Sequence, residues 1–265
     1  MRIASWNVNS IKARLNNVLD WVRAEKPDVL LFQELKCQDP DFPALEFESM
    51  GYSAHVHGQK SYNGVAILSR REPEDVLQVL PGDPADDQAR YVEATIGGMR
   101  IASLYLPNGN PADTPKYDYK LAWMERLRRH TLTLLREHEL FVLGGDYNVI
   151  PEEIDVYDPS GWTEDALFKL ETRRAFRRLL NLGLVDAYRA LHPHQAHAYT
   201  YWDYQAGRWQ RDQGLRIDHL LLSPAAADRL LACEIDRDPR GEPKASDHTP
   251  IWCDLADAPP GPRLT

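Results

Sequence analysis

Cysteine is scarce in this 265-residue chain. Cys37, Cys233 and Cys253 are odd in number and far apart. That excludes a disulfide framework and a thiolate zinc cluster, and it fits a reducing, cytoplasmic setting. Long apolar runs are missing too. No stretch approaches the roughly 18 residues a membrane span needs, so no membrane partner is expected. The opening MRIASWNVNS reads as a strand and has no basic segment followed by an apolar one, so no leader is expected there. Net positive charge is lacking, with 31 Lys and Arg against 40 Asp and Glu for a net −9. A broadly basic nucleic-acid-binding surface is thereby excluded, but a local basic rim around an acidic pocket is not. Several motifs are missing as well. There is no GxxxxGK[ST] loop, no GxGxxG, no HExxH and no GxSxG. Nucleoside-triphosphate, dinucleotide, zinc-protease and serine-hydrolase chemistries fall away with them.

What is present suits one sizeable core. Hydrophobic residues make up 43% and charged residues 27%. No stretch is long or polar enough for a domain linker, so the expectation is a single domain over 1–256 with a disordered tail at 257–265. Apolar runs predict strands at 2–8, 28–33, 64–70, 91–96, 99–106 and 140–145, then at 198–204, 215–223, 232–236 and 250–255. Helical spacing of Leu15, Val18, Leu19 and Val22 predicts a helix between the first two strands. Further helices are expected from about Tyr117 to Glu139 and from Leu170 to Leu182. Strands interleaved with helices make this an α/β chain with sheets covered by helices. The tetrapeptide RIAS occurs at 2–5 and again at 100–103, an echo of a two-fold architecture.

Polar residues recur where apolar runs end. Asn7 and Asn9 close the first strand, Glu34 the second and Tyr105 the run 99–106. The stretch LFVLGGDYNV delivers Asp146 and Asn148. Asp218 sits inside LRIDHLLLS, and Asp247 and His248 precede the last strand. Buried carboxylates are costly unless paired or metal-bound, and loops at strand ends are where scaffolds place chemistry. The economical reading is one shared pocket. Its carboxylates, carboxamides, one Tyr and one His are hard ligands that favour Mg²⁺, with Mn²⁺ able to substitute. Hydrolysis of a phosphate ester by water is the chemistry left. Asn7 and Asn9 also have a plainer reading as caps of the following helix.

The segments WNVNS (6–10), FQELK (32–36), YLPNG (105–109), GGDYNV (144–149), EIDVYDP (153–159), LRIDHLLLS (215–223) and SDHTP (246–250) stand in order along the chain. Together they closely resemble the exonuclease III and abasic-site endonuclease family of the endonuclease/exonuclease/phosphatase superfamily. The resemblance implies a four-layer α/β sandwich, with two mixed sheets packed face to face and helices outside. It implies a Mg²⁺-dependent nuclease that cuts duplex DNA 5′ to abasic sites and clears nucleotides or blocking groups from 3′ ends, acting as a monomer. It implies Glu34 as principal metal ligand, with Asn7 and Asp247 close to the metal. Asp146 would orient or deprotonate the attacking water, and Asn148 would hold the phosphate or hold Asp146 in place. His248, positioned by Asp218, would contact the scissile phosphate, and Tyr105 would stabilise the phosphate or the leaving oxygen. The general base stays open between Asp146 and the His248–Asp218 pair.

For the substrate, Tyr201, Leu215 and Ile217 match positions that line the abasic-sugar pocket. Trp202 belongs to an aromatic run suited to base stacking. Asn9, Arg90, Lys116 and Lys120 are candidate DNA contacts. Arg173, Arg174, Arg177 and Arg178 form a weaker basic row. Two rivals remain: a superfamily hydrolase of another phosphoester, and a non-cleaving RNA-binding regulator on the same fold.

Overall fold

The computed structural model describes residues 1–258, so most of the expected tail lies outside the described residues. Twelve strands form among the described residues. They are β1 (Arg2–Asn7), β2 (Val29–Gln33), β3 (Ser53–His57), β4 (Val65–Ser69), β5 (Glu74–Leu77), β6 (Tyr91–Ile96), β7 (Met99–Tyr105), β8 (Phe141–Asp146), β9 (Val185–Asp186), β10 (Asp218–Leu222), β11 (Leu230–Ile235) and β12 (Ile251–Leu255). The main helices are α1 (Ile11–Glu25), α3 (Pro115–Glu137) and α4 (Leu170–Leu180), with a single-turn α2 at Ala44–Glu48.

One sheet runs β11-β12-β1-β2-β4-β3 and the other β5-β6-β7-β8-β10-β9. Each is built around one parallel pair. β1 and β2 are parallel and joined through α1, while β7 and β8 are parallel and joined through α3; the other pairings are antiparallel. The two RIAS copies open the equivalent strands β1 and β7, so the sequence echo marks a real two-fold correspondence between sheets.

Alternation along the strands explains the layers. Ile3, Leu31 and Ile67 of one sheet point inward against Val92, Ile101 and Leu220 of the other. Ala4, Trp6 and Phe32 point outward beneath Val18, Trp21 and Val22 of α1. Leu104 and Leu143 point outward beneath Trp123, Leu127, Phe176 and Leu179 of α3 and α4. Strands buried on both faces need continuous apolar runs, which is why they were legible. β3 and β5 are sheet edges; SAHVH is half-buried and EDVL largely exposed, and neither offers an apolar run.

The two glycines before Asp146 have a packing cause. A Cβ at Gly144 would stand 2.5 Å from Leu31 of the facing sheet, and one at Gly145 would stand 1.9 Å from the Leu104 carbonyl oxygen. Bare backbone lets β8 lie against both neighbours and carry Asp146 to the seam.

One predicted strand does not form. Residues 198–204 make isolated bridges, Tyr201 to Leu215 and Tyr201 to His248. The Trp202 amide donates to the Asp247 carbonyl at 2.8 Å. Its backbone bonds are divided among several segments, so no ladder develops and the stretch becomes a strap across the end of the sandwich.

Candidate active site

The parallel pairs end at one edge of the sandwich. Asn7 closes β1, Glu34 follows β2, Tyr105 closes β7 and Asp146 closes β8. In register, Tyr105 lies beside Asp146, and Asp218 at the start of β10 lies opposite Asp146 on the other side. Ser10 caps α1, its hydroxyl accepting from the Ala13 amide. Asn7 and Asn9 are thereby left to the site.

Asn7, fully buried, ties the two carboxylates together. Its Nδ2 donates to Glu34 Oε1 and to Asp146 Oδ2, each at 2.9 Å. Its Oδ1 is occupied, accepting from the Asn9 amide at 3.0 Å. Asn7 thus bridges the two acids through its Nδ2. Lys36 Nζ lies 2.9 Å from Glu34 Oε2 and also donates to Asn9 Oδ1. Burial drives the Glu34 carboxyl upward, but the Lys36 charge and the Asn7 and Lys36 hydrogen bonds outweigh it, and its pKa lies below the ordinary value. Asn9 Nδ2 donates to Asp247 Oδ1 at 3.0 Å, placing Asp247 one hydrogen bond behind this group.

Asp146 differs from Glu34. Its Oδ1 accepts from the Asn148 amide at 2.8 Å. Burial, and then the charge of Asp218, push its pKa up to about 7 against the pull of His248, the Asn148 amide and Asn7. His248 moves the other way. Its Nδ1 lies 2.8 Å from Asp218 Oδ2 and its Nε2 3.7 Å from Asp146 Oδ2. Burial disfavours the imidazolium, but the charges of Asp218 and Asp146 outweigh it and raise the pKa to about 10. His248 is thus a cation at neutral pH, both ring nitrogens carrying protons, with Nδ1–H donating to Asp218. The Tyr201 ring packs edge-on to it, centroids 4.9 Å apart. Tyr105 stays a neutral phenol, because burial and the charges of Glu34 and Asp146 hold its pKa well above the ordinary value. Asn148 is held from three sides. Its Nδ2 donates to the Leu106 carbonyl at 2.8 Å, its Oδ1 accepts from Asn108 Nδ2 at 3.1 Å, and its own carbonyl accepts from Lys120.

Carboxylate oxygens of Glu34 and Asp146 and a ring nitrogen of His248 lie within 4.8 Å of one another, a group able to surround a metal ion. A protonated imidazole has no lone pair to give. The two carboxylates offer hard oxygens of the kind that suits Mg²⁺, already held together by Asn7. Beside them lies a cavity of about 250 Å³, lined by the polar Glu34, Asp146 and His248 and by the apolar Trp162, Leu167, Leu215 and Ile217.

The endonuclease/exonuclease/phosphatase family pattern matches residues 4–248. The chain belongs to that family. It is 36% identical to the DNA repair nuclease APEX1 of Danio rerio, over 97% of this chain and 82% of that protein. It is 32% identical to exodeoxyribonuclease III of Haemophilus influenzae, over 96% of this chain and 100% of that one. A 3′ phosphatase from Neisseria, solved with a product DNA hairpin, superposes with TM-score 0.94 at 41% identity, covering 97% of this chain and 99% of that one. An AP endonuclease from Archaeoglobus fulgidus superposes with TM-score 0.91 at 39% identity, covering 96% and 99%. Within the endonuclease/exonuclease/phosphatase family, these relatives place the chain on the exodeoxyribonuclease III and AP endonuclease branch.

The family fold brings Asn7, Asn9, Glu34, Tyr105, Asp146, Asn148, Asp218, Asp247 and His248 to one place. Tyr201, Leu215 and Ile217 line the same cavity. Arg90 sits behind Tyr105, its guanidinium 4.8 Å from the ring centre and its Nη1 donating to the Tyr105 carbonyl. Lys116 is exposed in the first turn of α3. Two expectations are corrected. Trp202 has no face to offer a base: it is fully buried, edge-on to Trp209 at 4.9 Å, with Nε1 donating to Asp212. Lys120 does not reach the surface: it too is fully buried, its Nζ donating to the Asn108 carbonyl at 3.0 Å and the Asn148 carbonyl at 2.6 Å. In the weaker basic row, Arg177 is paired with Glu152 and Arg173 lies over Phe168.

Sequence reasoning missed Asn108, Asn110, Trp162, Asp165 and Leu167 among the lining residues. It also missed what holds the apolar wall. Arg216, between Leu215 and Ile217, is fully buried, with Nε 2.7 Å from Asp155 and Nη1 2.8 Å from Asp186. His219, pushed down to about 4 by burial and by Arg216, accepts from Arg216 at Nδ1 and donates from Nε2 to the Val149 carbonyl. The motifs EIDVYDP and LRIDHLLLS carried this signal, since a charged residue inside an apolar run calls for a buried partner.

Proposed function

We propose that the protein is a Mg²⁺-dependent DNA-repair phosphodiesterase. It cuts duplex DNA on the 5′ side of an abasic site, leaving a 3′-OH, and removes nucleotides or blocking groups from 3′ ends. The observation that supports it most is the division of charge in one pocket. There, a carboxylate whose pKa is raised toward neutrality (Asp146) faces an imidazole whose pKa is raised in favour of its charged form (His248), beside a second carboxylate held below its ordinary pKa (Glu34). The bound DNA hairpin of the Neisseria relative supports DNA as the partner.

Glu34 would be the principal ligand of the Mg²⁺, which would supply Lewis-acid charge at the phosphate. Asp146 takes a proton from the attacking water as the water oxygen bonds to phosphorus and the bond to the 3′ oxygen breaks. The raised His248 pKa favours the imidazolium, which suits it to donate to a phosphate oxygen as negative charge builds rather than to act as that base. Asp218 keeps the imidazolium charged and aimed. Tyr105, held as a phenol, donates toward the phosphate or the leaving oxygen. The cavity wall of Trp162, Leu167, Leu215 and Ile217 receives the sugar that lacks a base.

The test is cleavage of a labelled duplex carrying one abasic-site analogue, with Mg²⁺ and with EDTA, for the wild type and Asp146→Ala. A single Mg²⁺-dependent nick 5′ to the lesion, lost in the variant, is expected. Shortening of the 3′ end with the lesion left intact would narrow the activity to exonuclease. An intact substrate in all lanes would defeat the proposal.

A further inference from the structure

Lys120 is a buried cation for which the reaction above has no use. It projects from the second turn of α3, is fully buried, and makes its bonds to two main-chain carbonyls, those of Asn108 and Asn148. No carboxylate takes a hydrogen bond from it; Asp146 and Asp165 act on it by charge at longer range. Burial pulls the ammonium down to about 7. A charge taken out of water without a paired counter-ion is expensive, and two neutral carbonyls do not require one.

The packing around it is close. Gly109, at φ +88°, lies on the lysine stem, and a Cβ there would come within 2.6 Å of Lys120 Cδ and 3.3 Å of Ala166 Cβ. Three segments meet on this side chain: the loop after β7, the turn after β8, and α3. The turn after β8 is itself bent, with Asn148 at φ +47°. Its side chain depends on Leu106 and Asn108 of the neighbouring loop for both of its hydrogen bonds. Lys120 grips both loops from beneath.

We infer that Lys120 is a positioning residue, whose buried ammonium clamps the Asn108 and Asn148 carbonyls and so fixes the Asn148 carboxamide beside Asp146 at the phosphate. The inference rests on the phosphodiesterase reading above. A lysine that merely fills space would be replaceable by methionine. A surface lysine holding DNA would show in affinity rather than in rate.

The test is a double-mutant cycle on single-turnover cleavage of the abasic duplex, at saturating Mg²⁺ and DNA. It uses Lys120→Met, Asn148→Ala and the two combined, with DNA affinity measured in EDTA and folding followed by Tm. Lys120→Gln, which keeps a neutral donor, is run alongside. The expectation is that Lys120→Met slows cleavage by on the order of 100-fold and leaves DNA affinity within about 3-fold. The double variant should be no slower than Asn148→Ala, because residues acting as one unit are non-additive. Lys120→Gln should fall between Met and wild type. Losses that multiply in the double variant, a Lys120→Met rate close to wild type, or a loss appearing only in DNA affinity would overturn the inference. If Lys120→Met does not fold, Lys120→Gln carries the same cycle; if neither folds, the lysine is scaffold and the inference falls. A wild type that cuts no DNA would instead refute the phosphodiesterase reading, a distinguishable result.

Discussion

Asp146 and His248 differ by the company each keeps, and their titrations should be separable. The raised His248 pKa means that the native state binds its proton more tightly than the unfolded chain does. Its contribution to stability is full below the unfolded value of about 6.5 and is lost as pH rises through about 10. Tm measured from pH 6 to 10 should therefore fall more steeply for wild type than for His248→Gln; parallel curves would remove the charged-imidazole argument. Asp146 has its pKa raised too, and linkage gives it the same sign in a lower window: folding loses stability as pH rises from about 4 to 7 and the buried carboxyl ionises. Cleavage should accordingly rise through neutrality, and Asp146→Asn should lower the rate by roughly 10²–10⁴-fold, the range for a lost general base. Residue types and order along the chain announced this pair. Their division of labour was not in the sequence, because it depends on Asp218 lying opposite Asp146 across a ladder formed by residues more than 70 positions apart.

The strap at 198–204 and the salt-bridged wall at 215–219 decide the shape of the cavity, and neither was read correctly from pattern. Tyr201 and Trp202 are adjacent and aromatic, yet one lines the cavity while the other packs in the interior on Trp209. Alternation puts them on opposite sides of the strap, and sequence did not say which side faced DNA. Trp202→Ala should cost about 3–5 kcal/mol of stability, as for a large buried aromatic, whereas Tyr201→Ala should leave Tm nearly unchanged and impair cleavage. Urea unfolding and rate measurements on the two variants check this. Asp155 accepts from both Arg216 and Arg189 in the interior. Asp155→Ala strands buried positive charge and should cost about 3–5 kcal/mol, far more than an exposed ion pair. A cost below about 1 kcal/mol would show that the wall does not rely on it.

For the whole molecule, a net charge of −9 and a DNA substrate are reconciled by placement. The acids that count are gathered in the pocket with Lys36, Arg90, Lys120 and His248 around or beneath them. The exposed basic candidate is Lys116, and Lys116→Ala should weaken DNA binding uniformly across sequences and flatten the salt dependence by about one unit of slope. Fluorescence anisotropy across a salt series would reveal it. A cation bound at Glu34 in the folded state stabilises by mass action, about 2.7 kcal/mol at 100 times its Kd. Mg²⁺ should therefore raise Tm in wild type but not in Glu34→Gln, and EDTA should reverse the rise.

The sequence by itself determined the double-sided strands and the set of polar residues delivered to strand ends, and its RIAS echo pointed to the correspondence of β1 with β7. Those follow from local pattern, since burial on both faces requires unbroken apolar runs and chemistry requires particular residue types. Tertiary structure decided which charges stay. It paired His248 with Asp218, left Asp146 poised near neutrality, and drew Trp202 and Lys120 inside although composition suggested a surface role. The physical reason is that pKa and burial are set by neighbours in space, and here those neighbours come from separate segments that only the fold brings together.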